Sequence, residues 1–250
     1  YKLDGYIIPK NDEFFSEYIP NNQDSLKFIS NFSGSYGFAL ILKKKNYLFV
    51  DGRYTLQAKI QSGKTFKILT IPNKLPADVL KDKKLSIGFD PKLYTELMLR
   101  RLFKKTNSRL ISLNVNLINK IWSRKKTIKF NKFYKLKNKD SGQTSESKIS
   151  MLSKIKAKNK IDYQFISASE NVAWVLNLRG GDSEFSPIPN SYLIINKKNK
   201  AYFFCSLKKI DKKLKKDLGK KVIILDIKYI EEFILKIINK KILIDYLSCS

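Results

Sequence analysis

Two stretches of this 250-residue chain, about 150 residues apart, read almost alike. Ala39-Leu-Ile-Leu-Lys-Lys-Lys-Asn-Tyr-Leu-Phe49 and Tyr192-Leu-Ile-Ile-Asn-Lys-Lys-Asn-Lys-Ala-Tyr202 are each a pair of apolar runs joined by a lysine-rich turn, the pattern of a β-hairpin. Each is followed by apolar and amphipathic patterns in the order helix, strand, helix, strand. A segment order spelled twice predicts two similar α/β domains rather than one large sheet. Hydrophobic residues make up 43% and aromatics 12%, enough for two packed cores and too much for a disordered chain.

Within the first copy, Leu3–Pro9 is predicted as a strand ended by Pro9, which has no N–H to donate. Asp24–Ser30 is predicted as a short helix capped by Asp24. The hairpin strands are Gly37–Leu42 and Tyr47–Val50, and Arg53–Gln61 is helical. Phe66–Ile71 and Leu85–Phe89 are strands, and Pro91–Lys105 is a helix with Leu93, Leu97, Met98 and Leu102 as its apolar stripe. The Lys- and Asn-rich stretch 125–143 reads as a linker between domains at 1–124 and 144–250. In the second copy, Thr144–Lys158 and Asn171–Leu178 are helices around the strand Asp162–Ser167. After the hairpin Ser191–Asn196/Ala201–Cys205 come the strand Val222–Leu225, the helix Lys228–Ile238 and the strand Ile242–Asp245. The chain opens on Tyr1 without Met and ends on Ser250 without a capping element, and is read as a trimmed piece.

Charge and composition exclude several functions. The net charge is +28, but only six of the 50 basic residues are Arg, and the lysines are spread through every segment. A nucleic-acid footprint is a patch or stripe rich in bidentate Arg, so the charge is read as a solvated surface and nucleic-acid binding is not expected. No apolar run approaches the ~20 residues that span a bilayer, so no membrane role is expected. Cys205 and Cys249 match no metal spacing and fit a reducing cytoplasm. There is no His. That removes the commonest general base, every His-containing triad and every His-dependent metal site. No catalytic residue and no metal ligand is therefore assigned.

Four motifs remain. Gln61-Ser-Gly-Lys-Thr65 ends like a phosphate loop, but Ala58 stands where its first Gly belongs, and the helix precedes rather than follows. It is an ordinary turn with Gly63 as C-cap. Phe32-Ser33-Gly34-Ser35-Tyr36-Gly37 is either a turn in which Gly34 supplies a positive φ or a loop that touches a ligand or partner. It does not meet the Gly-x-Ser-x-Gly nucleophile pattern. Asp51-Gly52-Arg53-Tyr54 reads as a structural turn in which Asp51 caps the following helix. Asn177-Leu-Arg-Gly-Gly-Asp182 ends the helix bearing Trp174, with Gly180 and Gly181 stopping it. Arg179 is open between a surface contact and a buried ion-pair partner.

Taken in order, these motifs resemble the N-terminal domains of the Xaa-Pro aminopeptidases, in the creatinase/prolidase superfamily. The matching segments are Asp4-Gly-Tyr-Ile-Ile-Pro9, Ser16-Glu-Tyr18, Asn31–Gly37, Val50–Ala58, Gly88-Phe-Asp-Pro91, Asn116–Trp122, Asn171–Asp182, Pro187 and Ser191-Tyr192. The resemblance implies two creatinase-N-type domains, each a mixed β-sheet flanked by helices. It implies a separate catalytic domain holding two divalent metals, manganese in most members, through Asp, His and Glu residues outside this sequence. It also implies a homodimer acting on short proline-containing peptides, with the N-terminal domains serving assembly and walling the active site. Phe32–Tyr36 and Arg179 are then the candidate contacts to the catalytic site or a partner subunit. The sequence departs from the family pattern at Phe14-Phe15, where many relatives carry a His, and at Asn31 and Tyr36, where smaller residues are usual. It also lacks the Pro expected after Trp122. Two other readings stay open: binding domains of a catalytically inactive superfamily member, and a basic nucleic-acid-binding α/β module.

Overall fold

A computed structural model describes residues 2–124 and 131–250. The chain divides into two compact units, Tyr1–Thr127 and Ile128–Cys249.

In the first unit the strands are β1 (Gly5–Pro9), β2 (Gly37–Leu42), β3 (Asn46–Asp51), β4 (Lys67–Ile71), β5 (Ser86–Phe89) and β6 (Arg109–Ser112). They form one mixed sheet in the order β4-β3-β2-β1-β5-β6. The hairpin β2–β3 and the pair β1–β2 are antiparallel, while β3–β4, β1–β5 and β5–β6 are parallel. Strand pleating sends alternate residues to opposite faces. Ile7, Phe38, Leu40, Phe49 and Ile87 build one core. Ala39, Leu48 and Val50 build a second, and Tyr6 and Ile8 a third, on the opposite face. Burial on both faces is why these strands read as unbroken apolar runs. The helices are α1 (Ser25–Ser30), α2 (Thr55–Ser62), α3 (Pro76–Leu80), α4 (Glu96–Phe103) and α5 (Ile118–Ile121).

The second unit repeats the plan. Strands β7 (Tyr134–Lys135) and β9 (Leu178–Arg179) form a small antiparallel pair. Strands β8 (Tyr163–Ile166), β10 (Tyr192–Asn196), β11 (Ala201–Cys205), β12 (Val222–Asp226) and β13 (Ile242–Leu243) form a sheet in the order β12-β11-β10-β8-β13. Pairing directions match those of β4-β3-β2-β1-β5 at every step. Helices α6 (Asn138–Ser141), α7 (Ser145–Lys158), α8 (Ser169–Leu176), α9 (Lys212–Leu218) and α10 (Ile230–Leu235) complete it. Phe133, Ile149, Val172, Leu193, Ile195 and Phe203 lie in its core. On the other face Phe233 of α10 meets Tyr202 and Phe204, with ring centroids 4.7 and 5.2 Å away.

Several local expectations need correction. The helix predicted over Pro91–Lys105 is broken: Pro91–Leu93 is one 3-10 turn, Tyr94 and Thr95 are extended, and α4 starts afresh. The Thr95 hydroxyl accepts the Met98 N–H and caps it. The apolar stripe of α4 therefore shifts to Met98, Leu99, Leu102 and Phe103, without Leu97. Of the stretch read as a linker, 125–130 lies outside the described residues. From 131 to 143 it carries β7 and α6, and Phe133 is buried in the second core. Lysine and asparagine dominate its composition, but one aromatic in the right place is enough to dock it. The helix before Leu178 ends at Leu176, and Asn177 rather than Gly180 or Gly181 stops it, in the left-handed conformation at φ 53°. Among the described residues no helix is long and apolar enough to cross a membrane.

Candidate functional site

In the first unit, the chain leaves α1 through Asn31, whose left-handed backbone (φ 61°) returns its N–H to the Lys27 carbonyl. Phe32 is then driven fully into the core formed by Leu26, Ala39, Leu48 and Val50. The rest of the loop is tied to α2. The Ser33 N–H donates to Gln61 Oε1 at 3.0 Å, and Ser33 Oγ accepts from Gln57 and Gln61, each at 2.9 Å. Ser35 Oγ and Tyr54 Oη share a hydrogen bond of 2.8 Å. The Phe32 and Tyr54 rings meet edge to face at 5.9 Å. The positive φ expected of Gly34 from the sequence is not found. A Cβ there would stand 2.3 Å from Cζ of Phe32, so Gly34 is required by the close approach of the ring.

The Asp51–Tyr54 turn is the other wall of this patch. Asp51 accepts the Arg53 backbone N–H at 3.0 Å and its Nε at 2.9 Å, and so caps the 3-10 turn Gly52–Tyr54 ahead of α2. Those two bonds from Arg53, side chain first, hold the Asp51 carboxyl below its ordinary range. The Arg53 guanidinium lies 5.5 Å from the centre of the Tyr54 ring. The structure thus joins two motifs that the sequence presented separately. Gln57 and Gln61, which fasten the loop, were missed. Their signal was an i,i+4 pair on one face of a helix. Also missed was the ion pair of the partly buried Lys10 with the buried Asp24, in which the α1 cap doubles as counter-ion.

In the second unit, Trp174 is half-exposed on α8 and the Lys148 ammonium sits 4.2 Å from its ring centre. Lys148 donates to the Trp174 carbonyl at 2.9 Å and to Asn177 Oδ1 at 2.7 Å. Burial, and then the neighbouring Arg179 charge, push the Lys148 ammonium below its ordinary pKa. Arg179 is half-buried in β9, opposite Tyr134, and donates to the Leu178 carbonyl at 2.7 Å. Asp182 accepts the Asn190 N–H at 2.8 Å and forms an ion pair with Lys209, with both side chains largely buried. Burial raises the Cys205 thiol to about 12 and also raises that of Cys249, so neither is poised as a thiolate.

The Ser35 hydroxyl faces a tyrosine and the Ser33 hydroxyl faces glutamines, so neither has a base beside it. Among the described residues no three His, Cys, Asp or Glu converge as metal ligands. A di-nuclear centre does not fit the described residues.

The creatinase/prolidase N-terminal domain family matches the chain twice, over residues 1–119 and 124–250. The chain belongs to this family. It is 33% identical to a probable Xaa-Pro aminopeptidase P of Laccaria bicolor, over 78% of this chain and 32% of that protein. It is 31% identical to one of Coprinopsis cinerea, over 88% of this chain and 37% of that protein. Among solved structures, an X-prolyl aminopeptidase of Caenorhabditis elegans, described as a cytosolic enzyme with a di-nuclear active site, superposes at a TM-score of 0.85. It is 26% identical, with 94% of this chain and 40% of that chain covered. The chain thus spans about a third of the length of the aminopeptidase P relatives it matches.

Proposed function

We propose that this creatinase-N pair is the non-catalytic N-terminal region of an Xaa-Pro aminopeptidase. The intact enzyme then removes the N-terminal residue that precedes a proline, by hydrolysis through two divalent metals held by a further domain of the same protein. The observation that carries this reading is coverage. Both units together align with aminopeptidases about two and a half times as long, and the aligned part holds no His and no cluster of metal ligands among the described residues. A cytoplasmic location, manganese, a homodimer and short proline-containing peptides as substrates belong to the same reading. The C. elegans relative supports it by being cytosolic and di-nuclear.

On this reading the two domains serve assembly and active-site access, and the Phe32–Tyr36 loop and Arg179 face the catalytic domain or a partner subunit. The loop suits that task because its hydroxyls, Tyr36 and Arg53 are presented on a braced frame rather than a loose turn. The first test is direct. The 250-residue chain should hydrolyse no Ala-Pro-type peptide with or without Mn²⁺, and metal-dependent turnover by it would overturn the proposal. In the intact enzyme, Ser35→Trp and Arg179→Ala should change KM or peptide-length preference while kcat is retained. Unchanged kinetics in both variants would remove the access role.

A further inference from the structure

Strand β6 is the element that the first sheet has and the second lacks, and it ends the sheet. Its pairing with β5 fixes which backbone groups are left over. The Arg109 N–H bonds the Leu85 carbonyl at 2.8 Å and the Leu113 N–H bonds the Phe89 carbonyl at 3.0 Å. In a parallel ladder the N–H and C=O of one residue point the same way and successive residues alternate. Residues 109, 111 and 113 therefore face β5, and Leu110 and Ser112 turn their N–H and C=O outward. Beside this open edge, on the α4 face, lies an apolar groove with a cavity of about 740 Å³, floored by Phe89, Leu99, Phe103 and Leu110. Its charged lining is Arg101 of α4, Lys104 just beyond the helix, and Glu96 and Arg100, in which the Glu96 carboxylate is already paired with Arg100 at 2.6 Å, so the surplus charge there is positive.

We propose that the β6 edge and the α4 groove together take up an extended segment of an acidic partner polypeptide as a seventh strand. The outward groups alternate donor and acceptor along the edge, which another peptide backbone satisfies and a nucleic-acid phosphate, an acceptor only, does not. The apolar floor takes alternate side chains of the added strand. The charged lining selects acidic residues at its ends, and a second copy of a chain carrying +28 is disfavoured there by like-charge repulsion.

The probe is a peptide with alternating central valines and acidic ends, Asp-Glu-Val-Thr-Val-Thr-Val-Glu-Asp, titrated into the full chain and followed by amide hydrogen exchange. The Leu110 and Ser112 amides should exchange freely without peptide and become protected with it, while 109, 111 and 113 are protected throughout. N-methylation of alternate peptide residues, which removes strand pairing but keeps charge and side chains, should weaken binding at least about tenfold, one lost hydrogen bond. Ser112→Pro removes an outward donor but keeps the Leu113 bond to β5, and should weaken binding similarly. Arg101→Glu with Lys104→Glu should weaken it further. If the proline variant does not fold, the N-methylated peptide decides. Equal binding of that peptide, or no protection of the two amides at about 1 mM probe, overturns the proposal. So does protection that appears without peptide as the chain dimerises in sedimentation.

Discussion

Lys156 has no solvent exposure, and its ammonium has no hydrogen-bond partner among the described residues. Burial pushes its pKa down to about 8, since the charged form is the one that loses solvation. The consequence for stability follows from proton counting. Below pH 8 the amine is charged in both folded and unfolded chains, and the full burial cost is present. Between about pH 8 and the ordinary lysine value near 10.5 the unfolded chain holds a proton that the folded one has released. The unfolded state then binds more protons, so this group's contribution makes stability rise with pH in that window. Lys156→Met keeps the length of the side chain and removes the charge. It should stabilise the chain by about 1–3 kcal/mol at pH 7, with the advantage shrinking as pH rises from 8 to 10.5. Melting temperatures of both proteins across that range check it. An advantage that is absent at pH 7, or the same at every pH, would show that no buried charge is being relieved.

Among the elements, α8 ends in a device whose backbone and side-chain parts can be separated. Asn177 supplies the left-handed turn, accepts a bond from Lys148, and donates to Ser141 Oγ and the Gln143 carbonyl at 3.1 and 2.8 Å. Asn177→Gly keeps the turn and loses the three side-chain bonds. Asn177→Ala loses both, and should be about 1 kcal/mol less stable than the glycine variant, because a Cβ disfavours this conformation. Urea midpoints decide, and an alanine variant as stable as the glycine one would refute the left-handed assignment. The sequence pointed to the right place but named the wrong residue, since Gly180-Gly181 is the louder stop signal. Elsewhere the elements legible in advance were those with one dominant signal. Both hairpins had apolar runs buried on two faces, and α1 and α7 had Asp24 and Thr144 at their caps. Strand β6 was illegible because only Leu110 and Ile111 separate its polar ends, and α9, whose place the repeated order implies, could not be given bounds because Leu214 and Leu218 are its only apolar residues among five charged ones. The loop and the Asp51 turn were each legible as motifs. Their union through Ser35, Tyr54, Gln57 and Gln61 was not, because hydrogen bonds across 19 to 28 residues of chain leave no local pattern.

At the scale of the whole molecule, each unit buries its own apolar cores, so the question is where the second one begins. Composition alone places its start at residue 144. Yet Phe133 is almost fully buried, its N–H bonds the Lys209 carbonyl at 3.0 Å, and its ring packs so closely that a Cβ on Gly180 would lie 2.8 Å from it. Leu136 adds a bond to the Asn177 carbonyl at 2.8 Å, and Lys135 Nζ one to the Asp217 carbonyl at 2.7 Å. Losing a buried aromatic costs about 3–5 kcal/mol. That is a large share of the 5–15 kcal/mol by which a domain of ordinary size is stable. A chain spanning 131–250 should therefore unfold cooperatively in urea, whereas one spanning 144–250 should have a much lower midpoint or no folded baseline. Phe133→Ala in the longer piece should reproduce most of that loss, which separates the ring's contribution from the mere length removed. Equal midpoints for the two pieces would return residues 131–143 to the role of a tether and leave the second core self-sufficient without them.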